Sequence, residues 1–267
     1  MADEYKAQFW ISNVMYSCVD ARVRGTEQFV AEHVLGYIVS GESHIESGGK
    51  KFVYGPGSIG LIRRNQLLKS YKVPPAVGDY KAINIFLTQD VLHQYSTRHN
   101  IKADARVNES YLMLTDPFIK GYFDSLLPYF DNPAQLNDSL MAIKTQEAIE
   151  LLLRHDPKLK NVLFDFSEPH KIDLKAFMLQ NYTYNVSMEQ FARLTGRSLA
   201  SFKRDFEAVF HQTPGKWLQE KRLSEAYYLI KEKKQKPSEV YLEMGFENLS
   251  HFSFAFKKQY GVGPSMV

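Results

Sequence analysis

Cysteine is almost missing from this chain. Cys18 stands alone, which excludes an internal disulfide and any zinc site built from several thiolates. Long apolar runs are missing too: stretches such as Leu151 to Leu153 fall far short of the roughly 18 residues a membrane span needs. The opening residues Met1-Ala2-Asp3-Glu4-Tyr5 carry acids where a signal peptide carries lysines, and no apolar segment follows. The expectation is a cytoplasmic protein with no membrane partner. A metal-holding β-barrel needs a His-x-His pair followed by a glutamate, and His33, His44, His93 and His99 show no such spacing. With neither converging ligands nor an acid/base pair, an enzyme reading lacks support, and no catalytic residue, metal or cofactor is expected. Net charge is scarce as well, at 33 basic against 30 acidic residues. The imbalance lies at one end: from Glu168 onward 15 Lys and Arg face 11 Asp and Glu. That suits phosphate attraction, although a few extra lysines also make an ordinary solvated face.

What the chain does have is two kinds of pattern. Its 267 residues, 44% apolar and 24% charged, suit a globular protein of two domains. Over the first ~110 residues, runs such as His33 to Val39, Lys51 to Tyr54, Ser58 to Ile62 and Lys81 to Leu87 are rich in β-branched and aromatic residues. Turn clusters separate them: Ser40-Gly41-Glu42, Ser47-Gly48-Gly49, Gly55-Pro56-Gly57 and Pro74-Pro75. This predicts a small β-barrel or sandwich. Helical spacing follows at Pro117 to Phe130 and at Ser139 to His155. In the second of these, Leu140, Ile143, Ala148, Leu151 and Leu152 form the apolar positions. Such a helical pair suits either a cover for the barrel or a dimer seam. Prolines at 157 and 169 mark a boundary, dividing the chain into residues 1–165 and 166–267.

The second part contains a repeat. Phe191-Ala192-Arg193-Leu194-Thr195-Gly196 is matched by Val240-Tyr241-Leu242-Glu243-Met244-Gly245. Aromatics then step by four in both copies, Phe202, Phe206, Phe210 and Phe252, Phe256, Tyr260, with Pro214 and Pro264 four residues beyond. Ser187 is a helix N-cap with Gln190 as capping-box partner, and Gly196 can take the left-handed conformation that ends a helix. A second helix from about Ser198 buries the aromatics and presents Ala200, Lys203, Arg204 and Glu207 on its other side. Copy two starts near Ser238, stops at Gly245 and resumes near Asn248. Two helices joined by a tight glycine turn make a helix-turn-helix, whose second helix enters the DNA major groove. Pro214 to about Glu232 reads as a linker helix of roughly 27 Å. With its flanking turns it would set the two recognition helices about 34 Å apart, one turn of B-DNA.

Ser187 to Pro264 resembles the DNA-binding domain of the AraC/XylS family of transcription regulators. The resemblance is carried by the first unit through Phe202-Lys203-Arg204-Asp205-Phe206, by Thr213-Pro214 and Lys221-Arg222-Leu223 in the linker, and by Gly245-Phe246-Glu247-Asn248 through Pro264. The residues before it, Leu35 to Leu87, are more loosely similar to the cupin-like barrels of family regulators, where small effectors or partner proteins bind. The resemblance implies an α+β chain: a cupin-like β-barrel with a helical pair, then an all-α domain of two helix-turn-helix units. It implies a sequence-specific activator on promoter DNA, meeting RNA polymerase, possible as a homodimer, and controlled by a small effector or a regulatory protein. Its DNA contacts would fall on Ser198, Ala200, Ser201, Lys203 and Arg204 in the first unit. In the second they would fall on Asn248, Leu249, Ser250, His251, Phe254 and Lys257. Phe254 replaces a frequent arginine and Tyr241 a small residue, so the first unit is expected to read sequence and the second to anchor. His33 and Arg63 are the candidates for effector contact.

Overall fold

Side-chain alternation along the strands shows where the first core lies. The computed structural model describes residues 7–24, 29–47, 50–107 and 111–267. Met1 to Tyr5 and the Gly48-Gly49 turn lie outside the described residues. The chain divides into two compact units, Met1–Ser167 and Glu168–Val267.

In the first unit an antiparallel six-stranded sheet runs in the spatial order Ala7–Ile11, Val14–Val19, Tyr80–Leu87, His33–Ser40, Ile59–Ile62, Tyr111–Leu114. A four-stranded sheet comprises Val23–Arg24, Lys69–Val73, Glu42–Ser47 and Lys50–Tyr54. Successive residues of a strand face opposite ways. Tyr80 and Ala82 accordingly join Ile45, Tyr54 and Leu68 in a core between the sheets. Ile83, Ile85 and Leu87 point to the other face, into a larger core shared with helices. The result is a barrel-like sandwich with helices on one outer face.

Those helices are Gln89–His99, Pro117–Asp124 and Asp138–His155, with shorter turns between. The pair foreseen after Pro117 covers the sheet: Ile119, Tyr122 and Phe123 from one helix and Met141, Ile149 and Leu152 from the other share the larger core. Two expectations need correction. The stretch from Pro117 to Phe130 is not one helix; it ends at Asp124, and a separate turn begins at Pro128. Proline lacks an N–H and disfavours helix in the residue before it. The buried stripe of Asp138–His155 is Met141, Thr145, Ala148, Ile149 and Leu152, whereas Ile143 points outward at 63% exposure. The hydroxyl of buried Thr145 accepts from Asn13 at 3.0 Å, tying the turn between the first two strands to this helix.

The second unit is helical throughout: Leu174–Asn181, Met188–Leu194, Leu199–Phe210, Pro214–Lys231, Pro237–Glu243 and Leu249–Tyr260. No described helix is long and apolar enough to cross a membrane.

Candidate nucleic-acid interface

Each helix-turn-helix begins with a short helix whose end is set by a glycine. Ser187 accepts from the Gln190 backbone N–H while the Gln190 side chain accepts from the Ser187 N–H, completing the capping box. Gly196 has φ +65° and Gly245 φ +79°, the left-handed region where a side chain is strained. Space is closed at both positions too. A Cβ on Gly196 would run into the backbone of His170 and Lys171, and one on Gly245 would come 2.6 Å from the Thr183 carbonyl oxygen. The two glycines therefore do more than turn the chain. Each lets a helix-turn-helix press onto the segments that flank helix Leu174–Asn181.

The first recognition helix, Leu199–Phe210, is capped by Ser198, whose hydroxyl accepts from the Ser201 N–H at 3.2 Å. Phe202 and Phe206 are fully buried, and Phe210 stacks obliquely on Trp217 of the linker helix with ring centres 4.5 Å apart. On the opposite side Ala200, Lys203, Arg204 and Glu207 are exposed. The two cations there are not equivalent. Arg204 pairs with Asp205 at 3.1 Å. Asp205 also receives Lys171 at 2.9 Å and the buried Arg197 at 3.2 Å, and these three partners, Lys171 foremost, hold its carboxyl far below the usual range. Lys203 makes no hydrogen bond or ion pair among the described residues.

The second recognition helix, Leu249–Tyr260, is capped by Asn248, which accepts from the His251 N–H at 2.7 Å. Phe252, Ala255 and Phe256 are buried against Leu223 and Ile230 of the linker helix. Leu249, Ser250, His251, Phe254 and Lys257 are all exposed. Tyr241, in place of a small residue, lies half-buried against the same core, its ring 6.5 Å from that of Phe252.

The role of one residue escaped the sequence reading. Arg222, on the linker helix, donates to the carbonyls of Tyr182 at 2.7 Å, Tyr184 at 2.8 Å and Gly245 at 3.3 Å. Burial lowers its pKa to about 10. A guanidinium has five N–H donors in a fixed fork, so one side chain can hold the end of one segment and the second turn together. Sequence gives no such signal, because the acceptors are main-chain oxygens 23 to 40 residues away.

The effector candidates of the first unit lie in an internal link. His33 is fully buried, its Nδ1 accepting from the Arg64 N–H at 3.3 Å while Nε2 finds no hydrogen-bond partner among the described residues. Arg63 donates to the Val107 carbonyl and pairs with Asp165 at 2.8 Å. Arg64 holds the carbonyls of Asp165 and Ser167. These bonds explain why Asp165 to Ser167 group with the first unit. A cavity of about 410 Å³ opens elsewhere, among Asn13, Gln94, Tyr95, Arg98, Thr145 and Gln146. No cluster of three potential metal ligands occurs among the described residues.

Residues 33–163 match the family model described as the ExsA N-terminal regulatory domain, and residues 191–267 match a helix-turn-helix domain. The HTH-type transcriptional regulator ExsA of Pseudomonas aeruginosa is 24% identical over 238 residues, 85% of this chain and 83% of the relative. The virulence regulon transcriptional activator VirF of Yersinia enterocolitica is 32% identical over 94 residues, 35% of each chain. Apo ToxT from Vibrio cholerae aligns over 96% of both chains at 14% identity, with a TM-score of 0.45. ExsA and VirF are named as a transcriptional regulator and a transcriptional activator, not as enzymes. A regulatory domain followed by paired helix-turn-helix units, with DNA as partner, makes this chain a member of the AraC family of transcription regulators.

Proposed function

We propose that this regulator is a cytoplasmic activator that recognises promoter sequence chiefly through Lys203 and answers to a small effector held in its first unit. The observation that carries the DNA reading is the outward cation pair on helix Leu199–Phe210: Lys203 makes no hydrogen bond or ion pair among the described residues, and Arg204 is held by Asp205, a carboxylate it shares with Lys171 and Arg197. A lysine there can donate to guanine O6 and N7 in the major groove, while Lys257 supplies phosphate attraction from the second unit. Ser198, Ala200 and Ser201 start the first helix, and Asn248, Ser250, His251 and Phe254 start or face the second. As an activator the protein would meet RNA polymerase beside its site. The test is selection of bound duplexes from a random library by the full-length protein. A defined motif is expected, with Lys203→Ala losing about tenfold or more of the affinity for it. Equal affinity of Lys203→Ala for motif and random duplex alike would confirm its role; unchanged preference would refute it.

The cavity supports the effector. Its walls offer Gln94, Gln146 and Arg98, and Arg98 has no ion pair among the described residues, so a small carboxylate with an apolar body fits the chemistry. Screening small carboxylates by thermal shift, with Arg98→Ala as control, tests this. If only a protein is retained by the first unit, regulation by a partner takes its place. Outward Ile143 supports a homodimer through helix Asp138–His155; sedimentation of Ile143→Glu against the wild type decides it.

A further inference from the structure

We propose that Phe254 reads the 5-methyl group of a thymine in the segment of DNA contacted by the second unit. The inference rests on the reading that helix Leu249–Tyr260 lies in the major groove, and it gives that helix a sequence preference where the sequence alone suggested anchoring.

Helix Leu249–Tyr260 carries three phenylalanines with opposite fates. Phe252 and Phe256 are fully buried in the core against the linker helix, while Phe254 is 71% exposed. At 100° per residue, Phe254 shares its face with Ser250 and His251 one turn before it and with Lys257 and Lys258 one turn after. All four are exposed. An aromatic ring therefore stands at the centre of a polar, cationic stripe. It belongs to neither the buried cluster of this helix nor its partly buried margin. Its ring stacks on none of the described aromatics.

Leaving a phenyl ring in water forgoes the burial that its two neighbours obtain. The lysines beside it would draw the face to phosphate, which sets the ring against base edges. A phenyl group has no donor or acceptor, so it cannot read O6, N7 or N4. The apolar feature of the major groove is the thymine methyl. Phe254 would thus favour thymine over cytosine at one position, through contact area alone.

The test uses a duplex selected by the full-length wild-type protein. Each thymine facing the second unit is replaced singly by uracil, which keeps every hydrogen-bonding group and lacks only the methyl. One position is expected to weaken wild-type binding about three- to tenfold. Phe254→Ala should bind the thymine and uracil duplexes equally, and 5-methylcytosine there should bind better than cytosine. Fluorescence anisotropy at fixed salt measures all three. If no uracil substitution weakens the wild type, or if Phe254→Ala keeps the thymine preference, the proposal is overturned. It is also overturned if Phe254→Ala changes only the oligomeric state, because the ring would then serve a second copy. Failure of the wild type to select any duplex would instead remove the DNA-reading function itself, and this proposal with it.

Discussion

Arg204 and Asp205, neighbours in sequence, are also bonded to each other, guanidinium to carboxylate at 3.1 Å. The carboxylate is shared with Lys171 and Arg197, so a residue inside the recognition helix fastens that helix to the start of its own unit. Losing it would leave the nearly buried Arg197 without a charged partner, held only by the carbonyls of Ile172 and Thr195.

Asp205→Asn should therefore lower the thermal stability of the second unit, with the size of the loss depending on pH. The folded carboxyl titrates far below an unfolded aspartate, so its contribution is complete above pH ~4 and is lost as pH falls further. Melting curves of wild type and Asp205→Asn should lie apart at pH 7 and draw steadily closer as pH falls below ~4. A constant gap across that range would show that charge is not the cause.

His33 loses stability in the same direction, toward acid, but over a higher pH range. Burial, aided by Arg64 and Arg63, lowers its pKa to about 3. An unfolded histidine takes a proton near pH 6.5, so acid favours the unfolded chain below that value. The first unit should lose about 1.4 kcal/mol per pH unit between roughly pH 6 and pH 4 from this group. His33→Asn keeps an acceptor for the Arg64 N–H and cannot titrate; its stability against urea should be flatter over the same range.

Arg222→Met should remove the guanidinium donor from the carbonyls of Tyr182, Tyr184 and Gly245, of which Tyr184 keeps the Val186 N–H, at about 1–3 kcal/mol for the first unsatisfied group. Motif binding should fall further than folding does, since the two helix-turn-helix units lose a common tie. Arg222→Lys, a single point charge, should rescue only part. Binding and melting measured on the same samples separate the two effects, and equal losses would argue for a purely local role.

Among the glycines with positive φ, Gly261 is the control. It has open space around it, so Gly261→Ala meets only the left-handed backbone cost, about 1–2 kcal/mol. Gly196→Ala and Gly245→Ala should cost distinctly more, because each also drives a methyl into main chain. Chemical denaturation of the three variants ranks them.

The second unit was legible because its signals are local. Ser187 with Gln190, Gly196, Gly245 and the aromatic steps each specify structure within a turn or two of helix, and the capping box formed as read. In the first unit the strands around Leu35, Phe52, Leu61 and Ile85 were legible from β-branched and aromatic runs. Helix Gln89–His99 was not, since only Val91, Leu92 and Tyr95 supply apolar surface in eleven residues. Nor was the outward turn of Ile143, which depends on which side of its helix meets the sheet. Of the candidate site, the exposed positions followed from helical period. The inequality of Lys203 and Arg204 depends on Lys171 and Arg197, and the tie through Arg222 on distant carbonyls, none of them visible in a linear pattern.

Because Arg222 grips both the segment before the first helix-turn-helix and the turn of the second, spacing is written into the protein rather than left to the promoter. One base pair inserted between the two contacted segments moves the second by about 3.4 Å along the axis and rotates it around the duplex. A fork of fixed geometry has no slack to follow. The DNA must then twist or bend to restore the phase, and promoters of this regulator should tolerate altered bases between its two footprints far better than an altered number of them.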